Sequence, residues 1–374
     1  MKKIIIIGAG ILGASTAYYL SKTEAEVILI DRNDIGQATE AATGIICPWL
    51  SKRRNKAWYH LAKNGAKIYP KLIRALEEDG EVETGYKQVG AISIREKKET
   101  LLEMKEIALK RREDAPEIGE VTLLSPKETR KLFPPIADGL GSVHVSGAAR
   151  VNGQQLRRAL IQGAKKNGVT FIEDTATLQY EDSSIIGVTL SDSTQITADI
   201  VIATNGAWMK ELLSPIGISL YSYPQKGQLM HIEMPEYDTS KWPVIMPPSN
   251  QSIVPFDDRV IIGATHEKKG VGFDHRITAE GLHRVLFTAL KFAPGLGNAT
   301  VIETKMGFRP YTPEYLPVIG PIPGYKGLLV ANGLGASGLT TGPYLGSQLA
   351  KLAMDESIEI DLHDYDIKEA LTKA

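Results

Sequence analysis

The sequence predicts an α/β protein of two domains, one around a parallel sheet and the other an α+β domain around an antiparallel sheet. The parallel sheet is indicated by residues 4–7, four consecutive isoleucines that are typical of a buried strand. The antiparallel sheet is indicated by residues 222–303, where short stretches alternate between apolar and polar side chains. The length of 374 residues, 43% of them hydrophobic, exceeds the usual size of one domain.

Three glycines follow the first strand in the spacing GxGxxG: Gly8, Gly10 and Gly13. In this pattern the first glycine permits a tight turn, the second lets backbone amides approach a pyrophosphate, and the third lets a helix lie close to the strand. A second apolar strand, residues 27–30, ends in Asp31, whose carboxylate is placed to accept a hydrogen bond from a ribose hydroxyl. These features predict a Rossmann-like domain that binds a dinucleotide. The alternative is a glycine-rich turn without a ligand.

Composition excludes several classes of protein. Lysine plus arginine (43) nearly equals aspartate plus glutamate (44), so no overall positive field favours nucleic acid. Cys47 is the single cysteine, which excludes an internal disulfide and a cysteine-rich metal site, and no metal site is predicted. The apolar run after Met1 is too short for a signal peptide, and no stretch is long enough to span a membrane. We therefore expect a cytoplasmic protein.

The helices are predicted from periodicity and from capping residues. Apolar residues at helical spacing predict a helix over residues 55–78, which Pro70 should kink or divide. Ser125 and Glu128 form a capping-box pattern, and Asn152 begins another helix. The remaining predicted elements are strands at 89–95, 169–173 and 200–203, a hairpin over 186–196, a helix over 278–292, a strand at 328–332 and a helix from Pro343 to Met354.

The segment 306–321 contains a candidate binding residue, Arg309. Its prolines favour an extended course, and Arg309 is the basic side chain in an apolar and aromatic setting. A guanidinium held there is suited to a two-pronged grip on a carboxylate. The alternative is an internal ion pair, for example with Glu314.

A second glycine-rich segment, residues 333–343, precedes the last helix. Its amides and the helix N-terminus are suited to stabilise negative charge on a reduced flavin. A two-domain nicotinamide enzyme has no need of this second segment, so it favours FAD as the cofactor.

The chain resembles the D-amino-acid oxidase-like flavoproteins, especially the branch of glycine oxidases, sarcosine oxidases and bacterial D-amino-acid dehydrogenases. The resemblance covers nearly the whole length and is specific for the family rather than for a substrate. It rests on the first glycine motif and on segments 37–44, 203–208, 224–228, 262–265, 307–313, 316–321 and 335–343. It implies a Rossmann-like FAD-binding domain of residues 1–88, 147–221 and 305–374, and a substrate-binding domain of residues 89–146 and 222–304.

The resemblance also implies roles for individual residues. The ADP half of FAD would be held by Gly8, Gly10, Ile11, Leu12, Asp31 and Arg32, with Ala176 meeting the adenine. The pyrophosphate side, the ribityl chain and the ring would be approached by Thr204, Gly206, Trp208, Ala42, Thr43, Gly44, Ile45, Gly335, Ala336, Ser337, Gly338, Leu339 and Thr340. Arg309 would grip the substrate carboxylate.

By this resemblance we expect an FAD-dependent oxidoreductase that oxidises glycine, N-methylglycine or a small D-amino acid. The substrate would give a hydride from Cα to flavin N5, and the imine would be hydrolysed to the oxo acid. His231 and His266 are interpreted as structural histidines. The electron acceptor, oxygen or another, is left open, as is a homo-oligomer. The alternative from another enzyme class is an NAD-dependent dehydrogenase.

Several positions depart from the family pattern. The carboxylate-binding segment lacks the cysteine that attaches FAD in sarcosine oxidases, so non-covalent FAD is expected. Residues 260–262 lack the lysine that those enzymes use in the reaction with oxygen. Many relatives carry histidine at the position of Leu334 and tyrosine at that of Ser252, so the side-chain pocket should differ from that of glycine oxidase.

Overall fold

The computed structural model describes residues 1–268 and 272–371. The α-helices within those residues are α1 (Ile11–Leu20), α2 (Lys56–Glu78), α3 (Lys98–Arg112), α4 (Pro126–Leu132), α5 (Gly153–Lys166), α6 (Met209–Leu213), α7 (Ala279–Phe292) and α8 (Gly338–Ala353). The first strands are β1 (Lys3–Ile7), β2 (Glu26–Asp31), β3 (Ile45–Ile46), β4 (Lys87–Gln88), β5 (Ala91–Arg95), β6 (Val121–Leu124), β7 (Gly141–Val145), β8 (Ala149–Arg150), β9 (Thr170–Glu173) and β10 (Ala176–Glu181). The later strands are β11 (Ser184–Leu190), β12 (Gln195–Thr197), β13 (Ile200–Ala203), β14 (Tyr223–Glu233), β15 (Val244–Met246), β16 (Ser252–Pro255), β17 (Val260–Gly263), β18 (Thr300–Tyr311), β19 (Val318–Pro321) and β20 (Leu328–Asn332).

Two large sheets confirm the predicted mixed α/β fold. The first has the order β19-β20-β13-β1-β2-β9 and is parallel except at β19. The second has the order β18-β14-β17-β16-β15-β5-β7-β6 and is antiparallel except where β15 pairs with β5. Smaller sheets are formed by β10-β11-β12 and by β3-β8-β4. The strands of the first sheet come from the three segments predicted for the FAD-binding domain. Strand β18 runs without a break across the boundary placed at 304/305, and the domain division itself stays a prediction.

The first turn of the parallel sheet confirms two of the three glycine roles. Gly8 has a φ of +96°, which an L side chain rarely adopts. A Cβ on Gly13 would lie 1.8 Å from the carbonyl oxygen of Gly8, so α1 approaches the end of β1 only because no side chain is present. The sequence pattern therefore predicted both the turn and the helix contact.

Most predicted helices lie where the sequence placed them. Helix α2 begins after Asn55, whose side chain accepts a hydrogen bond from the amide of Trp58, and it is not divided at the exposed Pro70. The capping box of Ser125 and Glu128 is present at α4. The side chain of Asn152 caps α5.

The predicted start of the last helix is wrong. Helix α8 begins at Gly338, five residues before the predicted start, and contains Pro343. Proline has no N–H, so the carbonyl of Leu339 loses its usual helical partner. The hydroxyl of Tyr69, a buried residue of α2, donates a hydrogen bond to that carbonyl. A contact from a distant helix therefore allows the proline inside α8.

Replacing Tyr69 with Phe should destabilise the protein while keeping its packing. The buried carbonyl of Leu339 would then have neither a helical nor a side-chain partner, which costs about 1–3 kcal/mol. Chemical denaturation of the purified protein would measure the loss in free energy of unfolding. Tyr180→Phe is the control, because Tyr180 is 50% exposed. Equal stability of the two variants would contradict the role given to the Tyr69 hydroxyl.

Within residues 1–268 and 272–371, no helix combines the length and the apolar character that a membrane crossing needs.

Candidate active site

A long cavity lies at the carboxyl ends of β1, β2, β13 and β20 and continues to the surface of the antiparallel sheet. Asp31 and Ala176 line one end, and Arg309 and His266 line the other. In open parallel sheets this edge is the usual place for ligands. The cavity therefore joins the predicted dinucleotide loop to the predicted carboxylate-binding arginine.

The glycine-rich loop is held by side chains from other elements. The hydroxyl of Thr39 accepts a hydrogen bond from the amide of Ile11 at 2.9 Å. The hydroxyl of Thr204 donates to the carbonyl oxygen of Gly8 at 2.8 Å. A Cβ on Gly10 would meet Thr39 Oγ1 at an ordinary 3.5 Å, so the fold leaves room there on the cavity side. The backbone at Gly10 is thus open to a ligand.

Asp31 and Arg32 line the same end of the cavity and are already bound within the protein. The carboxylate of Asp31 accepts hydrogen bonds from the amides of Ala9 at 2.5 Å and Asn33 at 2.7 Å. The guanidinium of Arg32 donates two parallel bonds to Glu211, at 2.7 and 2.8 Å. These contacts fix the orientation of both side chains beside the loop.

The structure brings the predicted site residues together with one exception. All of those predicted for the cofactor or the carboxylate line the cavity, apart from Ser337. The hydroxyl of Ser337 instead accepts a hydrogen bond from the indole of Trp58 at 2.9 Å. Ser252 and Leu334, the positions that depart from the family pattern, also line the cavity. Cys47 is buried outside the cavity lining, and burial raises the pKa of its thiol to about 12.

Arg309 lies in β18, and its side chain reaches the cavity without a carboxylate partner. Its Nη1 atom donates to the backbone oxygen of Thr265 at 2.9 Å and to Gln225 Oε1 at 3.2 Å. Among the described residues it forms no ion pair, and Glu314 is exposed. Burial lowers the pKa of Arg309 from its usual value, although a guanidinium stays charged. The internal ion pair considered as an alternative is therefore not observed.

Gly227 on β14 makes room for the guanidinium. A Cβ at this position would lie 2.7 Å from Nη2 and 2.9 Å from Nη1 of Arg309. Since the end of an arginine side chain moves more easily than a strand, Gly227→Ala should shift the guanidinium and leave the sheet intact.

We expect Gly227→Ala to retain cofactor and thermal stability and to lower kcat/KM by up to about 100-fold, the scale for a displacement of 1 Å at a binding group. Steady-state kinetics with a carboxylate-bearing substrate would measure the effect. Gly297→Ala is a control, because a Cβ there would approach only Leu290 at 3.9 Å. An unchanged kcat/KM for Gly227→Ala would show that Arg309 need not occupy this position.

His266 lies beside Arg309 and contacts two oxygen atoms. Its Nδ1 is 3.0 Å from Gln225 Oε1, and its Nε2 is 3.2 Å from the backbone oxygen of Asn250. Burial, and then the charge of Arg309, lowers the pKa of His266 to about 4. The imidazole is therefore neutral at pH 7 when no anion is bound.

Several residues of the site were not predicted from the sequence. Arg157 of α5 donates to the carbonyl of Ala9 at 2.7 Å and to Glu40 at 2.9 Å, and so ties two loops together. The side chain of Asn332 donates to the carbonyl of Gly206 at 2.9 Å. These partners lie more than 100 residues apart, and a local pattern carries no signal for such contacts.

Comparison with known proteins agrees with this geometry. A family model described as FAD dependent oxidoreductase (DAO) matches residues 3–352. Among curated proteins, the uncharacterized oxidoreductase YurR of Bacillus subtilis (strain 168) is 56% identical over 372 residues, covering 99% of this chain and 100% of the relative. A glycine oxidase of Pseudomonas aeruginosa is 27% identical over 369 residues, covering 97% of this chain and 98% of the relative.

Two solved structures are also similar to this chain over nearly its whole length. Iminodiacetate oxidase (IdaA) from Chelativorans sp. BNC1 is 42% identical with a TM-score of 0.93, covering 97% of this chain and 98% of the other. Glycine oxidase from Geobacillus kaustophilus is 25% identical with a TM-score of 0.84, covering 98% of this chain and 99% of the other.

Proposed function

The chain belongs to the DAO family of FAD-dependent oxidoreductases, and we propose that it oxidises the C–N bond of a small amino acid held through its carboxylate by Arg309. The observation that carries this proposal is the arginine itself. Its guanidinium lies in the cavity wall, mostly withdrawn from solvent, and has no carboxylate partner among the described residues. A buried, unpaired charge is costly, and an anionic substrate would supply the missing partner.

The residues at the other end of the cavity fit FAD. The open backbone at Gly10 and the N-terminus of α1 are suited to the pyrophosphate, and Thr204, Gly206 and Trp208 also line the cavity. Residues 42–45 and the glycine-rich start of α8 would line the ribityl chain and the ring. When bound, FAD accepts the two electrons of the oxidation.

The protein's own residues bind the substrate and orient it. A carboxylate on Arg309 fixes the position of the α-carbon, because the guanidinium is held by the carbonyl of Thr265 and by Gln225. Fixing the two reacting centres in this way removes much of the entropy cost of the reaction. The imine product is then hydrolysed in water to the oxo acid.

Within this class we favour a glycine whose nitrogen carries a substituent, such as N-methylglycine or iminodiacetate. The 42% identity to an iminodiacetate oxidase supports a secondary amine, against 25–27% for the glycine oxidases. Ser252 lines the cavity where many relatives carry tyrosine, and the smaller side chain leaves space for a substituent. Glycine and small D-amino acids remain alternatives within the same chemistry.

A second candidate is a dehydrogenase that passes electrons to an acceptor other than oxygen. Strand β17 supports it, because Val260, Ile261 and Ile262 are apolar, buried residues where sarcosine oxidases use a lysine toward oxygen. The nicotinamide-dependent alternative is set aside, because the family uses FAD.

The decisive experiment mixes the purified yellow protein anaerobically with glycine, N-methylglycine, D-alanine or iminodiacetate and follows flavin absorbance. We expect at least one of them to bleach the flavin, with the secondary amines fastest. Admission of oxygen then separates the candidates, since rapid return of colour indicates an oxidase and slow return a dehydrogenase. A protein bleached by none of the four would contradict the proposed function.

A further inference from the structure

Lys268 lies on the same face of the antiparallel sheet as Arg309. Arg309 of β18 is paired with Gln225 of β14. On the other side of β14, Lys226 is paired with Glu267, and their backbones exchange hydrogen bonds of 3.2 and 3.0 Å. Continuing this antiparallel pairing by one residue places Lys268 opposite Gln225. Directly opposed residues point to the same face, so Arg309 and Lys268 stand in one row with their backbones about 10 Å apart.

The side chain of Lys268 ends against tyrosines that lie next to Arg309. Its Nζ donates to Tyr315 Oη at 2.8 Å and lies 4.7 Å from the centre of that ring. The ring of Tyr315 packs edge-on against Tyr311, with centroids 5.2 Å apart, and Tyr311 is two residues beyond Arg309, about 6.8 Å along β18. A Cβ on Gly335, which lines the cavity, would lie 2.4 Å from the ring of Tyr311. The Lys268 ammonium is therefore held beside the substrate end of the cavity, on the Tyr311 side of Arg309.

This ammonium has no anionic partner among the described residues. It donates one of its three hydrogens to Tyr315, and residues 1–268 and 272–371 offer no acceptor for the other two. Glu314, which precedes Tyr315, is exposed and forms no ion pair in the described part of the chain. A second cation, Arg53, donates to the backbone oxygen of Tyr315 and likewise has no carboxylate partner within those ranges. Two positive groups thus converge on Tyr315 and favour an anion there.

We propose that Lys268 and the hydroxyl of Tyr315 bind a second carboxylate of the substrate, while Arg309 binds the first. The substrate is then a secondary amine with a carboxylate on each side of its nitrogen, as in iminodiacetate. Its carboxylates are separated by a methylene, the nitrogen and a second methylene, a length that fits the step of about two strand residues from Arg309 to Tyr311. The inference rests on the proposed function, because the first carboxylate is the one on Arg309.

Glutarate and butyrate test the second site without turnover. Glutarate has both carboxylates of iminodiacetate and a methylene in place of the nitrogen, whereas butyrate lacks one carboxylate. Each would be titrated into flavin-loaded protein and followed by flavin absorbance. We expect glutarate to bind at least about tenfold more tightly than butyrate, the scale for hydrogen bonds to a charged group. High salt should reduce this difference, because the ammonium is exposed.

Three variants assign this difference to particular groups. Lys268→Met keeps an unbranched side chain of similar length and should remove most of the preference for glutarate. Tyr315→Phe removes only the hydroxyl and should give an intermediate preference. Lys127→Met changes an exposed lysine of α4, outside the cavity lining, and should keep the full preference.

Substrate selectivity gives a second readout. In the anaerobic reduction of the flavin, Lys268→Met should raise the apparent Kd of iminodiacetate at least about tenfold more than that of N-methylglycine. The limiting rate of reduction should change less than the Kd, because Lys268 binds a group remote from the reacting carbon. A general structural defect would weaken both substrates alike.

The outcomes distinguish the two proposals. If glutarate binds no more tightly than butyrate, or if Lys268→Met keeps the full preference, the second site is overturned and the proposed function stands. If both ligands bind Arg309→Ala as tightly as the wild type, the first carboxylate is misassigned and both proposals are contradicted. If none of the amino acids bleaches the flavin, the proposed function fails, and a preference for glutarate that depends on Lys268 still supports the second carboxylate site.

Discussion

Arg309→Ala should keep its flavin and lose most of its affinity for carboxylate substrates. The side chain ends in the cavity, and its contacts within the protein are the Gln225 side chain and the Thr265 carbonyl, so its removal breaks no ion pair among the described residues. Losing one partner of a buried charge pair weakens binding by roughly 2–5 kcal/mol. Titration of the flavin spectrum with acetate, together with KM for the best substrate, would measure this loss.

Two further variants sharpen the test of Arg309. Arg309→Lys keeps the charge but not the two-pronged geometry, so an intermediate affinity is expected. Arg284→Ala removes an exposed arginine that pairs with Glu280 on α7, and it should bind substrate as the wild type does. Binding by Arg309→Ala within about threefold of the wild type, or 0.7 kcal/mol, would show that the carboxylate lies elsewhere.

Gly10→Val should give a folded protein that does not retain flavin. A Cβ at Gly10 would meet no protein atom closer than Thr39 Oγ1 at 3.5 Å, so the fold tolerates the change. The added methyl groups would enter the cavity where backbone amides must approach the pyrophosphate. The ratio of flavin to protein absorbance after purification, with circular dichroism to verify folding, would measure the effect.

Substitutions at two other glycines serve as comparisons for Gly10→Val. Gly297→Val adds the same side chain at an exposed position outside the cavity lining and should keep its flavin. Gly13→Ala would place a Cβ 1.8 Å from the carbonyl oxygen of Gly8. It should therefore unfold the region around the loop, whereas Gly10→Val should lose only the flavin. Normal flavin content in Gly10→Val would refute the placement of the pyrophosphate at this loop.

The features that the sequence could predict are those that depend on neighbours in the chain. The positive φ of Gly8 and the close helix contact at Gly13 follow from a motif of six residues. The amphipathic helix α2 follows from its own periodicity, and Asn55 marks its start. Each of these is decided by local geometry, so no knowledge of the rest of the fold is required.

The errors and omissions arise where distant segments meet. Pro343 looks like the first residue of a helix until the Tyr69 hydroxyl is known to bind the carbonyl of Leu339. The neighbours of His266 could not be predicted, because its two oxygen partners belong to separate segments. No spacing in the sequence indicates that such groups will converge on one ring.

The contact between α1 and α8 has a consequence for biosynthesis. Gly346 of α8 lies against Ser15 of α1, where a Cβ would come within 2.7 Å, and β20 completes the sheet begun by β1 through β13. A nascent polypeptide whose synthesis has not yet reached Ala353 does not have a complete α8. Its N-terminal turn is therefore exposed on one side. Flavin loading must follow release of almost the entire chain from the ribosome, and premature stop codons before α8 should yield only colourless apoprotein.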